Sequence, residues 1–160
     1  MDNQIDLFVR SPYFLTRPYY YQPMAAFRFT TSLEIRFRDL DALGHVNNAV
    51  YLTYFEIVRT QYWKNLFGLP PAQDWGFVMV RTECNYRSPA LLGETIIIAA
   101  RVSALKNSSF TFEYRLTESL SGRLIADGLS VQACYDMKNK RTVPISETMR
   151  QRIRNFEGLE

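Results

Sequence analysis

One stretch of helical period stands in a chain whose other apolar patterns alternate, and that asymmetry restricts the fold more than any other feature. Over residues 48–66 the side chains of Val50, Tyr51, Tyr54, Phe55, Ile57, Val58, Tyr62 and Leu66 recur at helical spacing. The apolar face is wide, so this helix is expected to be buried on most sides. FGLPP then ends it, because a proline disfavours helical geometry in the residue before it. After Trp75 the period drops to two. GFVMVRTECNY reads as one strand, and residues 95–105 form a second, with Ile96, Ile98, Ala100, Val102 and Ala104 on one face. Residues 109–117 alternate through Phe110, Phe112, Tyr114 and Leu116, and ESLSGR supplies a turn. The next strand, over residues 124–137, is expected to place Ile125, Leu129, Val131, Ala133 and Tyr135 together on one face. A short strand at 141–143 precedes Pro144, and Ser146 is placed to cap a C-terminal helix. Ahead of the long helix, Phe27, Phe29, Leu33, Ile35 and Phe37 alternate in strand fashion.

One long helix among strands joined mostly by short turns has an economical α+β solution. A five- to six-stranded antiparallel sheet wraps around one long central helix. A single helix cannot cover both faces and both edges of such a sheet. The 95–105 run is too long and apolar for a free edge, so a homodimer or a dimer-of-dimers tetramer is expected.

At 160 residues the chain is sized for one domain with a sizeable core. SPYFLTRPYYYQPM carries three prolines and four tyrosines with no steady period. Residues 1–24 therefore read as an irregular aromatic arm ahead of a domain at 25–160. Either translation begins at Met24, or the arm packs its aromatics on the domain or a neighbour. A net charge of +3 without a basic run argues against nucleic acid as a partner. Cys84 and Cys134 lie inside apolar strands and read as two reduced, buried thiols. With one histidine and no Cys/His cluster, no metal site and no cofactor are expected. No apolar run approaches the ~18 residues of a membrane span, and MDNQIDLF lacks the basic and apolar regions of a signal peptide. A cytoplasmic protein is the expectation.

The chemistry concentrates in RDLDALGHVNNAVYLTYFE, residues 38–56. Cap-forming residues here run straight into the helical period, which marks a helix N-terminus with free backbone N–H groups and partial positive charge. A carboxylate facing such a terminus offers a nucleophile or base beside donors for a developing oxyanion. Gly44 lets the loop turn sharply, so N–H groups near Val46 to Asn48 can point at a carbonyl oxygen.

The pattern D-x-D-x-x-G-H-V-N-N-x-x-Y-x-x-Y-F-E, from Asp39 to Glu56, resembles the signature of hotdog-fold acyl-CoA thioesterases of the 4-hydroxybenzoyl-CoA thioesterase-like group. The later Y-x-x-P-A-x-x-G-E, seen in Tyr86, Pro89, Ala90, Gly93 and Glu94, is similar to the same group. The likeness covers roughly residues 29–137. It implies hydrolysis of an acyl-CoA or acyl-carrier-protein thioester, with Asp41 as the catalytic carboxylate. Whether Asp41 attacks the thioester or activates water stays open, and capping is its alternative role. Asp39 is expected to cap or to tie down the loop.

His45, Val46, Asn47 and Asn48 are expected to orient the substrate or its oxyanion, although His45 can equally serve the loop and Asn48 can be an N-cap. Glu56 reads as half of an ion pair. Tyr51, Tyr54, Phe77, Val78 and Met79 are expected to shape the acyl pocket, with Phe77 and Val78 near Asp41 of a second chain. Lys106, Ser108 and Ser109 lie where similar thioesterases grip the nucleotide of coenzyme A, with Arg81, Arg87 or Arg101 as further grips and a solvated turn as the plain alternative. Two other readings of the same fold are weighed. A hydratase would want a His–carboxylate pair in a D-x-N-P-x-H setting, which is absent, and a non-catalytic acyl-thioester sensor need not keep Asp41.

Overall fold

The computed structural model describes residues 27–68 and 76–159. The arm at 1–24, the alternative start at Met24 and the prolines that end the long helix lie outside the described residues. Six strands, β1 (Phe29–Glu34), β2 (Phe77–Tyr86), β3 (Thr95–Leu105), β4 (Ser109–Glu118), β5 (Leu124–Asp136) and β6 (Arg141–Thr142), accompany helices α1 (Val50–Phe67) and α2 (Glu147–Glu157). The strands form one antiparallel sheet in the order β1-β3-β4-β5-β2, with β6 beside β5. This is the expected hotdog architecture, a sheet curled around α1.

Alternation places the core. Phe110, Phe112, Tyr114 and Leu116 of β4 and Ile96, Ile98, Ala100 and Val102 of β3 are buried. From α1, Tyr51, Tyr54, Phe55, Val58, Tyr62 and Trp63 are buried with them. Phe55 stacks on Tyr114 with ring centroids 4.3 Å apart, and Trp63 meets Phe110 and Phe112 edge-on. Offset and edge-on ring contacts add to the burial of these large side chains. Gly76 and the strand of β2 return from the far end of α1, where Tyr135 donates its N–H to the Gly76 carbonyl at 2.5 Å.

Four expectations are corrected. The 95–105 strand is no edge: β3 pairs with β1 on one side and β4 on the other, and the free edges belong to β1 and β2. The long helix keeps an exposed face of Leu52, Thr53, Glu56, Thr60, Gln61 and Lys64, because the described sheet covers only one side of it. Phe37 leaves the strand pattern for a 3-10 turn and is 80% exposed. In β5 the face toward α1 carries Gly128, Ser130 and Gln132, all buried, while Leu129 and Val131 face outward half-buried. The reason lies across the interface. A Cβ on Gly128 would stand 2.7 Å from the Phe55 ring and 2.3 Å from the Glu83 carbonyl oxygen, so the helix requires a bare backbone there. Ser130 meanwhile bonds the Tyr114 hydroxyl at 2.5 Å, and Arg59 of α1 donates to that hydroxyl at 3.0 Å.

Both cysteines are free, Cys134 buried and Cys84 half-buried. Ser146 caps α2 as expected, accepting the Met149 N–H. No helix among the described residues is long and apolar enough to cross a membrane.

Candidate active site

Backbone hydrogen bonds build the loop between β1 and α1. Asp41 donates its N–H to the His45 carbonyl at 2.8 Å, and Gly44 donates to the Asp41 carbonyl at 3.1 Å. Gly44 closes this turn at φ +78°, in the left-handed region that a Cβ disfavours. The Val46 N–H then reaches the Ala90 carbonyl and the Asn47 N–H the Asp39 carbonyl, each at 2.9 Å. The second motif is the buttress for the first. Arg123 donates to Glu94 Oε1 and the Pro89 carbonyl, each at 2.5 Å, and the Leu91 N–H reaches Glu94 Oε2 at 3.0 Å. The turn so held presents Ala90 and Leu91 to Val46 and His45.

The two aspartates have different surroundings. Asp39 is buried, clamped by Arg36 Nε and Nη2 at 2.9 Å each and by the Tyr54 hydroxyl at 3.0 Å. Burial is the largest single influence on the Asp39 carboxyl and opposes its charge. The Arg36 guanidinium, the Arg36 N–H and the Tyr54 hydroxyl together outweigh it and hold the carboxyl below the usual range. Tyr54 is pushed the other way, first by burial and then by the carboxylate it serves, so it remains a donor. Asp41 is half-buried. Its Oδ1 accepts the Leu43 N–H at 2.8 Å and the His45 N–H at 3.4 Å, and among the described residues its Oδ2 has no partner.

The start of α1 also separates the two asparagines. Ala49 occupies the cap position without a side-chain bond, and the cap comes from Asn47, whose Oδ1 accepts the Ala49 N–H and whose carbonyl accepts the Val50 N–H, each at 2.9 Å. Asn48 is therefore not the N-cap. Its side chain is exposed, its carbonyl accepts the Tyr86 hydroxyl at 3.0 Å, and its N–H has no partner among the described residues. The Val46 and Asn47 N–H groups are already engaged within the loop. The His45 side chain is exposed without a carboxylate partner, and Glu56 is exposed without an ion pair, both among the described residues. Tyr51 is buried edge-on against Tyr86 at 5.1 Å, and burial first among several influences pushes its phenol up to about 12.

Arg36 and Tyr86 carry weight that was not read from the sequence. Arg36 stands three residues before Asp39, a spacing that could have paired them. Tyr86 belongs to the second motif, but only the tertiary structure brings it to Asn48.

The remaining expected site residues lie elsewhere. Phe77 packs on Trp63 and Phe110, at the C-terminal end of α1. Trp63 is about 18 Å along the helix from Tyr51, and Phe77 about 30 Å along β2 from Tyr86. Met79 and Val80 follow on the edge strand, 42% and 59% exposed, beside a register shift between Met79 and Arg81. Lys106, Ser108 and Ser109 form the β3–β4 turn at that same far end. The Ser108 carbonyl accepts the Cys134 N–H at 2.7 Å, and Arg150 donates to the Lys106 carbonyl at 2.8 Å. Within one chain the expected site residues thus fall into two groups at opposite ends of the sheet. The three alternative phosphate grips are occupied: Arg81 pairs with Glu83, Arg87 with Asp127 and Arg101 with Glu113.

The chain is similar to known proteins. The profile of the thioesterase-like superfamily matches residues 35–153. The long-chain acyl-CoA thioesterase FadM of Escherichia coli is 30% identical over 125 residues, covering 77% of this chain and 95% of its own. The acyl-CoA thioesterase YbgC of Haemophilus influenzae is 29% identical over 120 residues, covering 72% of this chain and 86% of its own. Among solved structures, a Thermus thermophilus thioesterase complexed with coenzyme A and Zn superposes with a TM-score of 0.74 at 38% identity, covering 83% of this chain and 97% of that one. The loop, its buttress and these likenesses agree, and the chain belongs to the thioesterase-like superfamily of hotdog proteins.

Proposed function

We propose that this protein hydrolyses acyl-CoA thioesters, with Asp41 as the reacting carboxylate and a site shared between two chains. The observation that carries the reading is the Asp41 carboxylate itself. One oxygen is pinned by the Leu43 N–H while the other has no partner among the described residues, in the loop that leads into α1. Held this way, Oδ2 either attacks the thioester carbonyl or takes a proton from an attacking water. In the first route the C–S bond breaks to release thiol and leaves an Asp41–acyl anhydride that water then splits to free acid; in the second, water adds to the carbonyl and C–S cleavage gives acid and thiol directly. The Asn48 N–H, at the positive end of the α1 dipole, is the donor left to meet the carbonyl oxygen as negative charge develops there. His45 and Asn47 shape the loop that sets these positions. The His45 side chain has no carboxylate partner among the described residues, which argues against the hydratase reading.

Self-pairing explains the separation of the two residue groups. Two β2 edges joined antiparallel about a two-fold axis set the Phe77 end of one chain against the Tyr86 end of the other. Asp41 and Asn48 of one chain then face Phe77, Val78 and Met79 of its partner, with the buried Tyr51 and Tyr54 behind them, and the partner's Lys106–Ser109 turn lies on the same side to meet the coenzyme A phosphates. Each dimer holds two such sites.

The experiment is thiol release across aromatic, short-chain and long-chain acyl-CoAs, with an acyl-carrier-protein thioester beside them, for wild type and Asp41→Asn. The variant keeps the size of the side chain and a capping oxygen but loses the charge. Turnover is expected to fall about a hundredfold or more, or roughly 2.7 kcal/mol of barrier. Near-normal turnover by the purified variant would remove Asp41 from the chemistry. Repeated turnover in oxygen-18 water tests for the anhydride, since label in the Asp41 carboxyl requires an anhydride that water cleaves at the aspartyl carbon, and general-base hydrolysis leaves none there.

A further inference from the structure

The C-terminal end of α1, the start of β2, the end of β5 and the entry to α2 line an open cavity of about 450 Å³. Phe67, Phe77, Val143, Pro144 and Met149 supply its carbon wall. Asp136, Ser146 and Cys134 beside them have polar groups committed elsewhere. Asp136 Oδ1 accepts the Lys138 and Asn139 N–H groups at 2.9 Å each, and its Oδ2 accepts Asn139 Nδ2 at 2.7 Å. Ser146 Oγ is the cap of α2, 3.3 Å from the Met149 nitrogen. The Cys134 N–H goes to the Ser108 carbonyl at 2.7 Å, and the Cys134 carbonyl accepts the Val143 N–H at 3.0 Å. A polar ligand group placed here gives up hydration with little returned, whereas hydrocarbon gains. Its size lies within the range of small-molecule sites.

Phe77 links this cavity to the chemistry. It lines the wall and opens β2, the strand end that self-pairing brings to the Asp41 loop of the other chain. We propose that the cavity receives the distal part of an unbranched aliphatic acyl chain whose thioester carbonyl is held at the Asp41 loop of the partner chain. This rests on the shared-site reading above and adds a substrate class to it. Acyl-chain length is then measured by residues of β5 and of the β6–α2 connection, far along the sheet from Asp41 in their own chain.

The test fills the cavity from two different elements, with Val143→Trp and separately Met149→Trp in the full chain, and reads kcat/KM for dodecanoyl-CoA relative to butyryl-CoA. Each variant is expected to lower that ratio about tenfold, the effect of turning roughly two methylenes out of an apolar site. Binding of the non-hydrolysable dodecyl-CoA and butyl-CoA thioethers, measured by calorimetry, gives the same ratio without any turnover. An unchanged ratio in both folded variants, by either readout, overturns the proposal. Should wild type hydrolyse no acyl-CoA, the activity reading falls, and the thioether ratio still decides whether the cavity takes the chain.

Discussion

Asp39→Asn separates a structural aspartate from a reacting one two residues away. In the folded protein the Asp39 carboxylate receives the buried Tyr54 hydroxyl at 3.0 Å and the Arg36 N–H at 3.2 Å, besides the Arg36 guanidinium. The Arg36 side chain is 40% exposed, so its arm is screened by water and is left out of the sum. A hydrogen bond to a charged group contributes about 1.5–3 kcal/mol and a neutral one about 0.5–1.5. Neutralising the acceptor of the two remaining bonds therefore costs about 2 kcal/mol. For a chain of this size that lowers Tm by about 4–8 °C.

The pH dependence has a definite sign. The folded carboxyl titrates below its unfolded value, so its stabilisation is fully present above the unfolded pKa and is lost as pH falls through the folded one. The gap between wild type and Asp39→Asn should stay level above about pH 5 and narrow below about pH 4. Urea melts of both proteins across that range, with turnover measured alongside, are the assay. Wild-type stability in Asp39→Asn together with abolished turnover would refute the reasoning and exchange the roles of Asp39 and Asp41.

Three other outcomes follow from the same structure. Asp41→Asn, whose carboxylate bonds only exposed loop N–H groups, should melt within about 1 kcal/mol of wild type despite its loss of turnover; a large drop in urea midpoint would make it a structural residue instead. Gly128→Ala should cost about 3 kcal/mol or more, because the added carbon meets the Phe55 ring at 2.7 Å and the Glu83 carbonyl at 2.3 Å, and an unshifted melting curve would contradict that packing. Light scattering should return about twice the chain mass of 18.7 kDa or a larger even multiple, and Val80→Asp on the exposed β2 edge should lower assembly and turnover together; a fully active monomer defeats the shared site.

The sequence by itself determined the elements. The 95–105 alternation became β3 to the residue, the helical stripe became α1, and Ser146 became the cap of α2. These patterns are local: alternation, helical period and cap chemistry report which side chains a segment must bury or satisfy, whatever lies opposite. The motif also marked the loop that joins β1 to α1. Tertiary structure alone decided the rest, because each remaining question concerned a partner distant in sequence. Strand order made β2 an edge and β3 an interior strand, which no pattern within β3 records. Phe55, arriving from α1, turned the Gly128 face of β5 inward against its apolar alternation. Arg36 and Tyr54 claimed Asp39 and left Asp41 with an open oxygen, Asn47 took the cap from Asn48, and the lengths of β2 and β3 carried Phe77 and Lys106 to the end of the sheet away from Asp41. A residue's own pattern states that it must be buried or bonded, and only the folded chain supplies what it is buried against.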